Sequence, residues 1–166
     1  MKRKIFFVAV LFVTAALAFA ADPVEGYWIS IDGKKVTGGW RLYTTGNVLQ
    51  GDLVGAKGGT ADMLAVNCKK QEKYTGFPIP GKVSEMKIFG TPFIYGFSLK
   101  SEGFWSGGKL IDPDNGNIWN CDLIFHAADG KKFKVDTLEV KVKVGINVSQ
   151  FWRKSTQAEA EGLSNS

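Results

Sequence analysis

Trp105-Ser-Gly-Gly-Lys-Leu-Ile-Asp-Pro-Asp-Asn-Gly-Asn-Ile-Trp-Asn-Cys121 is the stretch from which the fold class can be read. Pro113-Asp114-Asn115-Gly116 supplies one residue with a preset φ, two that tolerate left-handed φ, and a glycine. Apolar and aromatic residues lie on either side in strand-like spacing. The stretch therefore predicts two antiparallel strands, 104–111 and 118–126, with Asn115 and Gly116 at the tip of the turn. In the second strand Trp119, Cys121, Leu123 and Phe125 point one way, and Asn120 and Asp122 the other.

The same grammar extends in both directions. Strands are expected at 27–31, 35–43 and 48–54, joined by turns at Asp32-Gly33-Lys34 and Thr44-Thr45-Gly46-Asn47. At 93–100, Phe93, Tyr95, Phe97 and Leu99 alternate with Gly96, Ser98 and Lys100, which places the four apolar residues on one face. Further on, Leu138, Val140, Val142 and Val144 alternate with Glu139, Lys141 and Lys143, and a last strand covers 148–153. Phe133 and Val135 are out of phase with Leu138 and Val140, which predicts a β-bulge near Asp136. Residues 61–92 are interrupted by Pro78, Pro80 and Pro92, leaving room for one short strand at 82–89. The sum is an all-β domain of about eight to ten antiparallel strands over residues 21–154, with 155–166 a small, polar, disordered tail. A membrane barrel needs apolar outward faces, whereas the polar faces here carry lysines and glutamates. A barrel in water fits better.

Residues 1–20 read as an export signal. Lys2, Arg3 and Lys4 precede an apolar run, and Ala18-Phe19-Ala20 forms an A-x-A cleavage site. The mature chain is expected to begin at Ala21, in the periplasm or beyond. The whole sequence has 21 basic and 16 acidic residues, a formal +5. Three of the basic residues and none of the acidic ones lie in the leader, so its removal leaves only +2. So small an excess excludes a nucleic-acid partner as the working reading. The lysine pairs at 69–70 and 131–132 read as solvated turn residues.

The tryptophan, Gly-Gly pair, Asp-Pro, Asn-Gly and following aromatic of 105–121 resemble the core pattern of DUF 2147, a family of exported bacterial domains without an assigned activity. The likeness runs from Gly26-Tyr27-Trp28 through Gly39-Trp40 and 88–97 to Cys121, and fades towards Gly145, Phe151, Trp152 and Arg153. Gly26-Tyr27-Trp28 near the start of the mature chain is also similar to the opening of lipocalin-like barrels, which stack a late arginine on that tryptophan. The resemblance implies a lipocalin-like barrel with Trp28 and Arg153 as its plug, held by cation–π attraction of about 1 kcal/mol.

Residues that carry chemistry are sparse. His126 is the single histidine and has no nucleophile-elbow pattern beside it. One histidine and two distant cysteines make a poor zinc set. Asp112-Pro113-Asp114-Asn115-Gly116 alternates carboxylates before a glycine but lacks the downstream glutamate of a calcium loop, and a hairpin turn explains it. No catalytic residue, metal or cofactor is assigned. An oxidising compartment permits a Cys68–Cys121 disulfide, which would add roughly 2–4 kcal/mol, although Cys121 on an apolar face also suits a buried thiol.

The inward aromatics Trp40, Phe93, Tyr95, Phe97, Trp119 and Phe125 admit two readings: the lining of an apolar cup, or the filling of a solid core, which their number favours. The first gives a non-enzymatic periplasmic binding protein for a small apolar or amphipathic ligand. The second gives a protein–protein interaction or envelope-assembly module that works through its surface. Neither reading has the chain spanning a membrane, and neither fixes an oligomeric state.

Overall fold

The computed structural model describes residues 21–165. The expected leader lies outside them. Eight strands follow one another around a closed antiparallel barrel. They are β1 (Gly26–Asp32), β2 (Lys35–Thr45), β3 (Val48–Gly55), β4 (Ile94–Ser101), β5 (Phe104–Ile111), β6 (Ile118–His126), β7 (Thr137–Val144) and β8 (Ile146–Ser155). Each strand pairs with the next, and β1 closes on β8 through Tyr27–Ser155, Trp28–Lys154 and Ile29–Arg153. Closure leaves no unpaired edge. A barrel of this size has room for little beyond side chains, and Trp28, Leu42, Leu49, Ile94, Phe97, Leu123 and Leu138 are all buried.

The hairpin read from 105–121 is present as expected. Asp112 N–H donates to Asn117 O (2.8 Å), Gly116 N–H donates to Asp112 O (2.7 Å), and Gly116 holds φ +67°. Asp112 accepts from Asp114 N–H and from Asn115 Nδ2, which fixes the turn from inside. Asp114 and Asn115 are exposed, as a turn tip requires.

Among the register shifts of the barrel, two glycine bulges reset the alternation of β4 and β5. On β4, the four residues from Ile94 to Phe97 oppose the three from Leu49 to Gly51 on β3, with Gly96 at φ +78°. The four apolar residues expected on one face of this strand are therefore split. Phe97 is buried opposite Leu49, Leu99 is 52% exposed, and Tyr95 pairs with Lys109 on the outer side. On β5, Gly107 (φ +77°) forms a second bulge, whose free N–H and neighbouring Ser106 hydroxyl both donate to Asp122. Gly108 beyond it makes room for Phe97, since a Cβ there would lie 2.0 Å from the ring.

The residues between β3 and β4 wrap the outside of the wall. The strand expected at 82–89 is instead a 3-10 turn at Val83–Glu85 and a single bridge, Leu64–Lys87. Prolines on both sides prevent a longer ladder. This strap buries Ala65, Cys68, Tyr74 and Val83, sets Phe77 edge-on against Tyr95 (5.3 Å), and is tied to the β5–β6 turn. Tyr74 Oη donates to Gly116 O and Asn67 Nδ2 to Asp114 O, both at 2.8 Å.

Three further expectations are corrected. No bulge forms near Asp136: residues 127–136 are a loop, organised by Asp129 accepting from Lys131 and Phe133 N–H and by Asp136 accepting from Ala128 N–H. Phe133 is out of phase because it is not in a strand. It stacks on His126 instead, with ring centroids 4.5 Å apart. The tail is not disordered throughout, because α1 (Gln157–Gly162) is capped by Thr156 and packs on the barrel wall. Its Ala160 is fully buried against Gly39 and Gly55, where any Cβ would lie 2.2 Å from the Ala160 carbonyl oxygen. Finally, Cys68 and Cys121 are free buried thiols. Cys68 belongs to the strap against the β5–β6 turn, and Cys121 sits in mid-β6 opposite Gly108. Burial raises the first thiol to about 11 and the second to about 12, so both stay protonated at neutral pH.

Candidate functional site

In an up-and-down barrel, alternate connections lie at opposite ends. The N-terminal segment and the β2–β3, β4–β5 and β6–β7 connections share the closed end. There Trp28 is fully buried, donates from Nε1 to Val24 O (2.8 Å) and meets Phe125 edge-on at 6.3 Å. The cation over its ring is Lys154, with Nζ 4.3 Å from the centroid, and not the expected Arg153. Strand alternation explains the exchange. Trp28 pairs directly with Lys154, whereas Arg153 is on the opposite face and bonds Glu159 of α1. Lys154 also donates to Glu25 O (2.7 Å) and Pro23 O (3.1 Å), and Asp22 accepts from Gly103 N–H (3.0 Å). The first residues of the domain are thereby laced across this end. Burial lowers the Lys154 pKa, with Asp136 and Asp22 opposing the shift.

The other end is open. A cavity of about 250 Å³ lies between the β1–β2 turn, the strap and the β5–β6 turn. Its floor is Trp40 stacked on Trp152, with centroids 5.3 Å apart and ring planes 20° from parallel. Leu53, Ala56, Ile88, Leu110 and Trp119 form apolar walls. The polar residues at the mouth are Ser30, Thr37, Gln150, Asp32, Asp112 and Asp114. Ser30 is already committed: it accepts from Trp40 Nε1 (3.1 Å), bonds Thr37 and donates to Gly38 O. Trp152 Nε1 donates to Gln150 Oε1 at 3.2 Å. Both stacked indoles thus spend their N–H groups inside the protein and leave apolar ring surface facing the space. Burial raises the Asp112 pKa, opposed in part by its turn hydrogen bonds.

Of the six aromatics expected to line a cup, only Trp40 and Trp119 reach this cavity. Phe93 and Phe97 are wholly buried, Tyr95 lies beneath the strap, and Phe125 packs on Trp28. The sequence reading missed Trp152, although Gln150, Trp152 and Lys154 alternate with Phe151 and Arg153 and so share a face. It also missed Ile88, which strand periodicity cannot place because the strap has none. His126 contacts Glu139 at 2.8 Å, and Ser149 donates to the other Glu139 oxygen, so serine and histidine are not bonded to each other as nucleophilic catalysis needs. Among the described residues no group of three or more His, Cys, Asp or Glu is placed to hold a metal ion.

Residues 26–154 match the family described as an uncharacterized protein conserved in bacteria, DUF 2147. The chain belongs to that family. The match begins with the glycine that opens β1 and ends at Lys154, so the DUF 2147 unit is the barrel itself and α1 follows it. No curated protein matches the chain in sequence. A solved structure, protein HP1028 from Helicobacter pylori, described as belonging to the lipocalin family, superposes with a TM-score of 0.60 over 84% of this chain and 87% of that one. At 12% identity the likeness concerns the fold: this is a lipocalin-like barrel. Among the described residues, no helix is long and apolar enough to cross a membrane.

Proposed function

We propose that this DUF 2147 barrel is an exported, non-enzymatic binding protein that holds a small apolar or amphipathic molecule in its open end. The observation that carries the reading is the Trp40–Trp152 stack with unfilled space beside it. An apolar space of about 150 Å³ accepts benzene, so about 250 Å³ suits a substituted ring or a short chain. The export signal read at residues 1–20 supports a setting in which small molecules of the envelope are met.

Native mass spectrometry of protein purified from its own host tests the proposal. A fraction carrying a small adduct in wild type, and lost when Ile88→Trp fills the space, supports it. Bare protein in both samples, or an adduct that survives the filling, counts against it.

A further inference from the structure

The chemistry of the cavity mouth narrows the ligand class, an inference that rests on the binding reading above. Ionisable groups at the lining are all of one sign: Asp32, Asp112 and Asp114, with no lysine, arginine or histidine among them. Lys34 and Lys35 follow Asp32 in the chain and Lys57 lines a smaller neighbouring pocket, but none reaches this one. Asp112 spends both oxygens within the turn. Asp32 and Asp114 are exposed, and neither side chain has a hydrogen bond or an ion pair among the described residues. The two indole N–H groups of the floor are already donated elsewhere. A carboxylate or phosphate head would thus meet neither a cation nor those donors, and would sit among three acidic residues of the lining. Placing a negative head beside like charges is unfavourable even at an exposed mouth. A cation gains from both neighbours, because indole faces attract ammonium groups and carboxylates pair with them.

We infer that the cavity selects cationic amphipathic molecules, of the size of an arylalkylamine, with the apolar body against Trp40 and Trp152 and the ammonium at the Asp32–Asp114 mouth. Fatty acids and other anionic amphiphiles are selected against by the same groups.

Three probes of similar shape separate this inference from the binding reading beneath it: 2-phenylethylammonium, 2-phenylethanol and 3-phenylpropanoate, titrated calorimetrically into the mature chain. The expected order is ammonium tightest, by about tenfold over the alcohol, with the propanoate weakest. In Asp32→Asn/Asp114→Asn, whose changed groups are exposed and make no internal bonds, the ammonium should lose about threefold while the alcohol is unaffected. Equal or tighter binding of the alcohol or the propanoate overturns the cation preference and leaves the binding reading standing. An ammonium advantage that the double substitution leaves undiminished overturns the assignment to these carboxylates. Failure of all three probes to bind overturns both.

Discussion

Lys154 shows how one residue of register decides a local structure. Arg153 and Lys154 are adjacent cations near the end of the last strand, yet only Lys154 faces inward, where its ammonium covers Trp28 and ties two backbone carbonyls of the N-terminal segment. The sequence contained the parity, since Lys154 lies two residues from Trp152 and Arg153 does not; the resemblance to lipocalin openings pointed to the arginine instead. Lys154→Ala is expected to destabilise by about 1–2 kcal/mol through lost cation–π attraction and unpaired carbonyls. Trp28→Ala should cost about 3–5 kcal/mol by leaving a cavity. The double variant should fall short of their sum by at least about 0.5 kcal/mol, while Arg153→Ala adds independently to Trp28→Ala. Chemical denaturation of the wild type and the five variants checks this, and coupling at Arg153 instead of Lys154 would reverse the assignment. Asp122 gives a pH-dependent counterpart. Burial alone would raise its pKa, but Ser106, Lys143 and the Gly107 N–H outweigh that and hold it below the usual carboxylate value. A group whose pKa is lower in the fold contributes in full above its unfolded value, about 3.9, and loses that contribution as pH falls through the folded value. Asp122→Asn should therefore be less stable than wild type at neutral pH, with the gap closing below about pH 4. A gap that stays constant into the acid range would show that the carboxylate charge is not what Ser106 and Lys143 hold.

At the scale of elements, strands with clean alternation and written-out turns were legible in sequence, and the 105–121 hairpin most of all. What was not legible follows from physics that period-2 reading omits. A glycine at positive φ inside β4 resets the phase, so Tyr95 exchanges the interior for the underside of the strap. The strap holds its shape through side-chain bonds to the β5–β6 turn, made by residues more than forty positions away, and no local pattern encodes these. Helix α1 is six residues long, too short to be stable alone. It forms because Gly39 and Gly55 let its backbone sit directly on the wall. Gly55→Ala should consequently cost about 1–3 kcal/mol by lifting the helix. The same substitution should be nearly neutral in a chain ending at Ser155, because the clashing carbonyl is gone. Thermal denaturation of the four combinations checks the point, and an equal cost in both backgrounds would place the strain elsewhere.

At the scale of the whole molecule, the barrel is asymmetric along its axis. One end is sealed by Trp28, Phe125 and Lys154, and the other is left open over Trp40 and Trp152. Of the aromatics counted from sequence, Trp40 and Trp119 reach the open end, Phe125 helps seal the other, and Phe93, Phe97 and Tyr95 fill the core or lie beneath the strap, a division that a count alone could not make. The chain has five tryptophans, and each indole N–H gives its own signal in a proton–nitrogen correlation spectrum. The most direct measurement is a titration of the labelled mature chain with 2-phenylethanol, an uncharged probe that tests the cavity apart from its preference for cations. The expected result is that the indole signals of Trp40, Trp119 and Trp152 shift together and saturate, while those of Trp28 and Trp105 stay in place. No shift at any indole up to millimolar probe, or shifts centred on Trp28, would contradict a ligand cavity at the open end.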